Sequence, residues 1–187
     1  MIVVLLVTGV LFAAGRRGPQ TETVLTREQQ QRRQQTQQAL DERGRLQQQA
    51  KQAFDAEMTR AARNSECPDA HSTREQEECL QKESNTTQAN YKKFTTALRS
   101  LIVPAGNEEQ PAVGPEGAAQ TSAQAAGEFD SMEQAWQQYR EKLCSAAFHE
   151  GGGGTIAPVL EGECEIRSLR NHMRDLEQTY ALLLSVR

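Results

Sequence analysis

Four consecutive glycines, Gly151 to Gly154, separate two stretches of helical periodicity, and Cys144 and Cys164 stand ten residues before and ten after the last of them. A glycine run has no Cβ to restrict its backbone and cannot carry a helix through, so it marks a reversal. If the flanking stretches fold into a helical hairpin about this turn, the two thiols come level and can be joined. Before the turn, Met132, Trp136, Tyr139, Leu143 and Ala146 recur at alternating spacings of four and three, which predicts a helix from about Ser131 to Phe148 with those residues on its buried stripe. After the turn, a helix following Pro158 is expected to bury Val159, Ile166, Leu169, Met173, Leu176, Tyr180 and Leu183.

The same spacing recurs upstream. Leu80, Ser84, Thr87, Tyr91, Phe94, Leu98 and Leu101 form one stripe of a helix that should begin near Thr73, with Gln76 as its capping-box partner, and stop before Pro104. Leu46, Ala50, Ala53, Phe54, Met58, Ala61 and Ala62 form the stripe of an earlier helix. Cys67 precedes the Thr73 start and Cys79 lies in its second turn, so a short lead-in can fold back and close a Cys67–Cys79 loop, contributing on the order of 3 kcal/mol. Helices with one apolar stripe bury it against each other. The expected fold is all-α: a small antiparallel helical bundle with two disulfides, preceded by a Gln-rich helical extension. Residues 46–187 form its domain, with 104–127, rich in Pro, Gly and Ala and without periodicity, as a flexible loop.

The extension occupies residues 16–45. Thr26 and Gln29 make a capping box, and eleven of the twenty-six residues from Arg27 to Gln52 are Gln, which leaves a helix polar on every face. It is expected to be a solvated spacer or a segment that orders on self-association. Before it, Ile2 to Ala14 is an uncharged apolar run of thirteen residues ending near Gly15, too short for the ~20 needed to span a bilayer and better suited to a signal-peptide core over 1–15. Membrane attachment is expected only if that segment is retained. An even number of cysteines behind an export signal reads as two disulfides and places the protein outside the cytoplasm, as a periplasmic, secreted or envelope-associated chain.

Charge is unevenly spread: residues 16–64 carry ten basic and six acidic side chains, a net +4, whereas 65–187 carry eleven and nineteen, a net −8. An acidic domain argues against nucleic acid and for a basic partner. Catalytic and metal chemistry find little support. Four cysteines with His71, His149 and His172 have no pair at the spacing that brings two ligands together on one element, and no serine sits in a nucleophile elbow. His172 and Asp175, three apart, are expected to be a surface pair. Arg140, four residues after Trp136, can stack on its ring, so Trp136, Tyr139 and Arg140 read as a structural motif. No enzyme activity, cofactor or metal is expected.

Cys67-Pro68, Cys79-Leu80, Asn90-Tyr91 and Ala97-Leu98-Arg99, followed by Trp136-x-x-Tyr139-Arg140-x-x-x-Cys144, the glycine run into Gly154-Thr155-Ile156-Ala157-Pro158, and Cys164 with Arg170, resemble the LprI-type lysozyme-inhibitor domain in order and spacing. The likeness covers about residues 46–183 and leaves the Gln-rich segment outside. It implies an exported helical domain of the bacterial cell envelope tied to lysozyme inhibition. The chain departs from the lipoprotein member of that family in having no lipid-accepting cysteine after its apolar run. Four glycines exceed what a helical hairpin requires, and His149, Glu150, Gly152, Gly153, Gly154 and Thr155, with Glu161, Glu163 and Glu165 beyond, suggest a flexible acidic tip that enters the basic cleft of a lysozyme, against the plainer reading of a mobile solvated turn. The rival expectation is a structural envelope protein that self-associates through its Gln-rich helix.

Overall fold

In the computed structural model, which describes residues 26–63, 65–103, 111–113 and 119–185, helix α1 runs from Arg27 to Ala61 without a break at Gly44. Its start is fixed by the expected capping box: the Gln29 N–H donates to Thr26 Oγ1 at 3.4 Å and the Thr26 N–H to Gln29 Oε1 at 3.0 Å. Every residue from 26 to 42 is exposed, as an all-polar helix dictates, whereas Ala50, Ala53 and Glu57 of the same helix are buried. Helix α2 (Thr73–Ile102) is capped by Ser72, one residue before the expected start, through the Glu75 N–H at 3.3 Å. All seven residues of its stripe are buried.

Helix α3 spans Ser122–Glu150 and α4 spans Ala157–Thr179, with Pro158 in the first turn of α4, where its missing N–H costs nothing. A last single turn, α5 (Ala181–Leu184), is held to α1 by Gln47, whose amide donates to the carbonyls of Leu183 at 2.8 Å and Ser185 at 3.0 Å. Sequence-adjacent helices are antiparallel, but α2 and α4 lie side by side and parallel: Ser84 meets Glu165 and Tyr91 packs near His172, both offsets being 81 residues. The core between the four helices is built on Phe94, Leu98, Leu169, Met173 and Leu176, with Ala50 and Ala53 from α1 and Phe129 from α3. A satellite cluster of Leu80, Val159 and Ile166 closes the end beside Cys67.

Both disulfides pair as expected. Cys67 joins Cys79 with their Cα atoms 6.0 Å apart, and Cys144 joins Cys164 at 5.4 Å. The connection between α2 and α3 differs from its expected form. Strands β1 (Pro111–Val113) and β2 (Ala119–Thr121) pair antiparallel within it, and α3 begins nine residues before Ser131.

The rotation of α3 also corrects the sequence reading. Tyr139 is 60% exposed, and Met132, Leu143 and Ala146 face outward too. The inward face is Ala126, Phe129, Glu133 and Cys144, with Trp136 and Arg140 half-buried at its edge. Cys144 must point at α4 to reach Cys164. Glu133, eleven residues earlier and so three turns back on the same face, turns in with it. At the far end of α1, Ala62 is exposed because it is the residue that caps the helix.

Candidate functional site

The α3–α4 turn uses its glycines for geometry. Gly152 and Gly153 have φ of +62° and +72°, the left-handed region that costs other residues strain. A Cβ on Gly151 would lie 2.7 Å from the Ala157 Cα. Four backbone hydrogen bonds hold the turn: the N–H groups of Gly151, Gly152 and Gly154 donate to Phe148, His149 and Gly151, and the Ala157 N–H donates to Gly154, all between 3.0 and 3.1 Å. The hairpin therefore requires three of the four glycines, Gly151, Gly152 and Gly153.

The candidate partner-binding residues fall into two groups. His149, Glu150, Gly152, Gly153, Gly154 and Thr155 are exposed at the tip, beside an exposed Ile156. Glu161, Glu163 and Glu165 lie down the flank of α4, Glu165 about 12 Å along the axis from Ala157 at 1.5 Å per residue. Glu165 is half-buried and accepts from Ser84 Oγ at 3.0 Å, and Glu163 accepts from the Gln76 amide at 3.5 Å. Glu161 and Glu165 share a groove with Glu141 of α3, while Glu163 opens onto a different groove beside α2.

Trp136 is the centre of a stack. Its ring lies 3.9 Å from that of His172 at an interplanar angle of 9°, and the Arg140 guanidinium sits 5.3 Å from the ring centroid, as the four-residue spacing suggested. Arg140 also donates to Gln88 at 3.0 Å. His172 is not a surface partner of Asp175. It is buried, with Nε2 2.7 Å from Glu133 Oε1, and Tyr91 donates a short hydrogen bond to the other oxygen of Glu133. Burial, reinforced by the hydrogen bond and charge of Glu133, pushes the Tyr91 hydroxyl far above the usual phenol range. The histidine lies on the bundle face because positions 169, 172, 173 and 176 share one side of α4.

A second polar centre was invisible to apolar patterning. Glu57 is fully buried; its Oε1 accepts from Thr87 at 2.9 Å and Arg170 Nε at 2.7 Å, and its Oε2 from Asn90 at 2.9 Å and Arg60 at 3.0 Å. Burial alone would raise this carboxyl, but the hydrogen bonds from Asn90, Arg170 and Thr87 and the Arg60 charge outweigh it and hold it below the ordinary range. Arg170 makes a fork onto Glu66 with its two terminal nitrogens, while Arg60 and Arg63 converge on Glu83. One buried carboxylate thus ties α1, α2 and α4 to the loop closed by Cys67–Cys79. The signal in the sequence was a lone acid on the Ala50, Ala53, Met58 side of α1, with a cluster of arginines near it.

Four helices joined by two buried polar networks, with one disulfide across the α3–α4 hairpin and another tying the α1–α2 loop to α2, define a disulfide-bonded α-helical domain with all four cysteines oxidised. The family model described as lysozyme inhibitor LprI matches residues 64–176, and the chain belongs to that family. The matched segment holds both disulfides, the Trp136–Arg140 stack and Arg170, which pairs with Glu57 of the unmatched helix α1. No curated protein and no solved structure matches the chain. The family is one of inhibitors associated with the cell envelope, and two disulfides suit an oxidising compartment. Among the described residues no helix is long and apolar enough to cross a membrane; the apolar run over 1–15 lies outside them.

Proposed function

We propose that this protein binds a lysozyme or a related wall-cleaving enzyme and inhibits it without catalysing a reaction, presenting the α3–α4 hairpin end to the basic surface of its target. The observation that carries this reading is membership of the lysozyme-inhibitor family over the segment that contains the hairpin. The net −8 of residues 65–187 supports a basic partner by steering its approach. A tip held rigid by its own hydrogen bonds and by the Cys144–Cys164 bridge loses little entropy on docking. Export to the periplasm or cell exterior follows as part of the same reading, since the target acts on the wall.

The test is a turbidity assay of wall lysis with the purified full chain. Inhibition that weakens as salt rises, and that weakens further when Glu150, Glu161, Glu163 and Glu165 are changed to Gln together, supports the hairpin surface. No inhibition of any lysozyme tested would overturn the reading. A second reading, self-association in the envelope, is favoured by one observation: residues 26–42 form a capped helix exposed on every face. Sedimentation of the full chain against one lacking residues 1–42 separates the two.

A further inference from the structure

The C-terminus of α1, the Cys67–Cys79 loop and α4 border a groove of about 410 Å³. Its charge runs against that of the domain. Four guanidinium groups border it, from Arg63, Arg167, Arg170 and Arg174, against two carboxylates, Glu66 and Glu163. Arg170 and Arg63 are already committed to Glu57, Glu66 and Glu83. Arg167 and Arg174 are exposed, and neither has a carboxylate within ion-pair distance among the described residues; Arg174 donates only to the Asn171 side chain, at 2.9 Å. Glu163 stands one turn before Arg167 but accepts from Gln76 instead.

We infer that this groove is a binding site for a short acidic peptide, whose carboxylates pair with Arg167 and Arg174. Positions 167, 170, 171 and 174 lie on one face of α4, so the two unpaired guanidiniums flank the anchored Arg170 and are separated by about 10 Å along the axis. Guanidinium forks match carboxylate oxygens in geometry. Two guanidiniums set about 10 Å apart along one helix face favour a ligand with two spaced carboxylates over a single inorganic anion. An extended polyanion or an anionic bilayer would bring its charge against the surrounding acidic surface, whereas a short peptide confines its charge to the groove, within a Debye length of ~8 Å. The site shares Glu163 with the flank of the hairpin surface and calls for the opposite charge in its ligand.

The experiment is a calorimetric titration of the full chain, at about 150 mM salt, with acetyl-Ala-Glu-Ala-Glu and with its glutamine counterpart. The glutamate peptide should bind at least about tenfold more tightly than the glutamine peptide, and the R167Q/R174Q double variant should lose about tenfold of that affinity with helix content unchanged. Glu163→Gln should tighten the peptide while weakening any binding to a basic lysozyme, so the two sites respond with opposite sign. Equal binding of the two peptides, an unchanged double variant, or inorganic phosphate binding as tightly as the glutamate peptide would each overturn the inference. Loss of lysozyme inhibition alone would leave these outcomes untouched and bear only on the proposed function.

Discussion

Two buried carboxylates hold this bundle together, and they differ in what neutralises them. Glu57 is met by the guanidiniums of Arg60 and Arg170, whose charge is fixed across the working range of pH. Glu133 is met by a phenol and an imidazole, Tyr91 and His172. The elements they secure also differ. Helix α3, which carries Glu133, is additionally tied by the Cys144–Cys164 bridge and by the fork of Arg99 on Asp130, with both contacts at 2.7 Å. Helix α1 carries no disulfide, so Glu57 and one apolar face are its principal holds. A carboxylate paired with fixed cations is thus placed where no covalent link exists, and one paired with titratable groups where a link does.

The largest expected effect follows directly. Glu57→Ala leaves a buried guanidinium half-compensated and Thr87 and Asn90 without their acceptor, so it should cost about 3–5 kcal/mol in urea unfolding. The double change Glu57→Leu with Arg170→Met removes both charges and should recover much of that loss. Glu133→Ala should cost less, about 1–3 kcal/mol, because it strips hydrogen bonds from Tyr91 and His172 rather than isolating a buried cation. If the Glu133 variant is the weaker of the two proteins, the contrast between the centres fails.

The two centres should also set opposite ends of the pH–stability curve. The Glu57 carboxyl is lower in the folded state than its unfolded value of about 4.3, so its contribution is present above that pH and is lost as pH falls through the lower folded value. The Tyr91 hydroxyl is raised, so its contribution is present below about 10 and is lost as pH rises above it. Tyr180, raised by burial and by the charges of Glu133 and Glu128, adds to the alkaline side. Near-ultraviolet dichroism across pH should show acid loss flattened in Glu57→Gln and alkaline loss flattened in Tyr91→Phe. Equal flattening of both limbs by either change would mean that the centres do not act separately.

What the sequence disclosed, and what it concealed, follows the same division. The α2 stripe and both disulfides were legible because each rests on local spacing: alternating fours and threes, two cysteines equidistant from a turn, or two cysteines flanking a helix start. The rotation of α3 was not, because Met132, Tyr139 and Leu143 form a regular apolar row that solvent covers, while the face that packs contains an acid, Glu133. The Glu57 to Arg170 pair spans 113 residues and links a helix outside the family match to one inside it, so no local pattern records it. Arg170 was visible through the family resemblance, but its role as a counter-charge required the fold. The candidate hairpin residues were found as a stretch of sequence, and only the helix geometry divides them between a tip and a flank.

The smallest effect is expected where α1 leaves the bundle. Residues 26–42 are exposed on every face, and their side-chain contacts lie within the helix: the cap at Thr26, Gln37 donating to Asp41 at 2.8 Å, and the surface pair of Glu42 with Arg45. Exposed pairs of this kind contribute little. Deleting residues 1–42 should therefore change the unfolding free energy by no more than about 0.5 kcal/mol, with the midpoint of the remaining domain preserved. Removal of the next turns should not be tolerated, since Gln47 holds the last turn of the chain and Ala50, Ala53 and Glu57 enter the core. Hydrogen exchange on the intact protein checks the same boundary without truncation: amides over 27–42 should exchange at rates near those of a fraying helix, while those over 50–61 should require opening of the bundle. A protected N-terminal half in dilute solution would mean that a second molecule covers it, and would move the self-associating reading ahead of the solvated one.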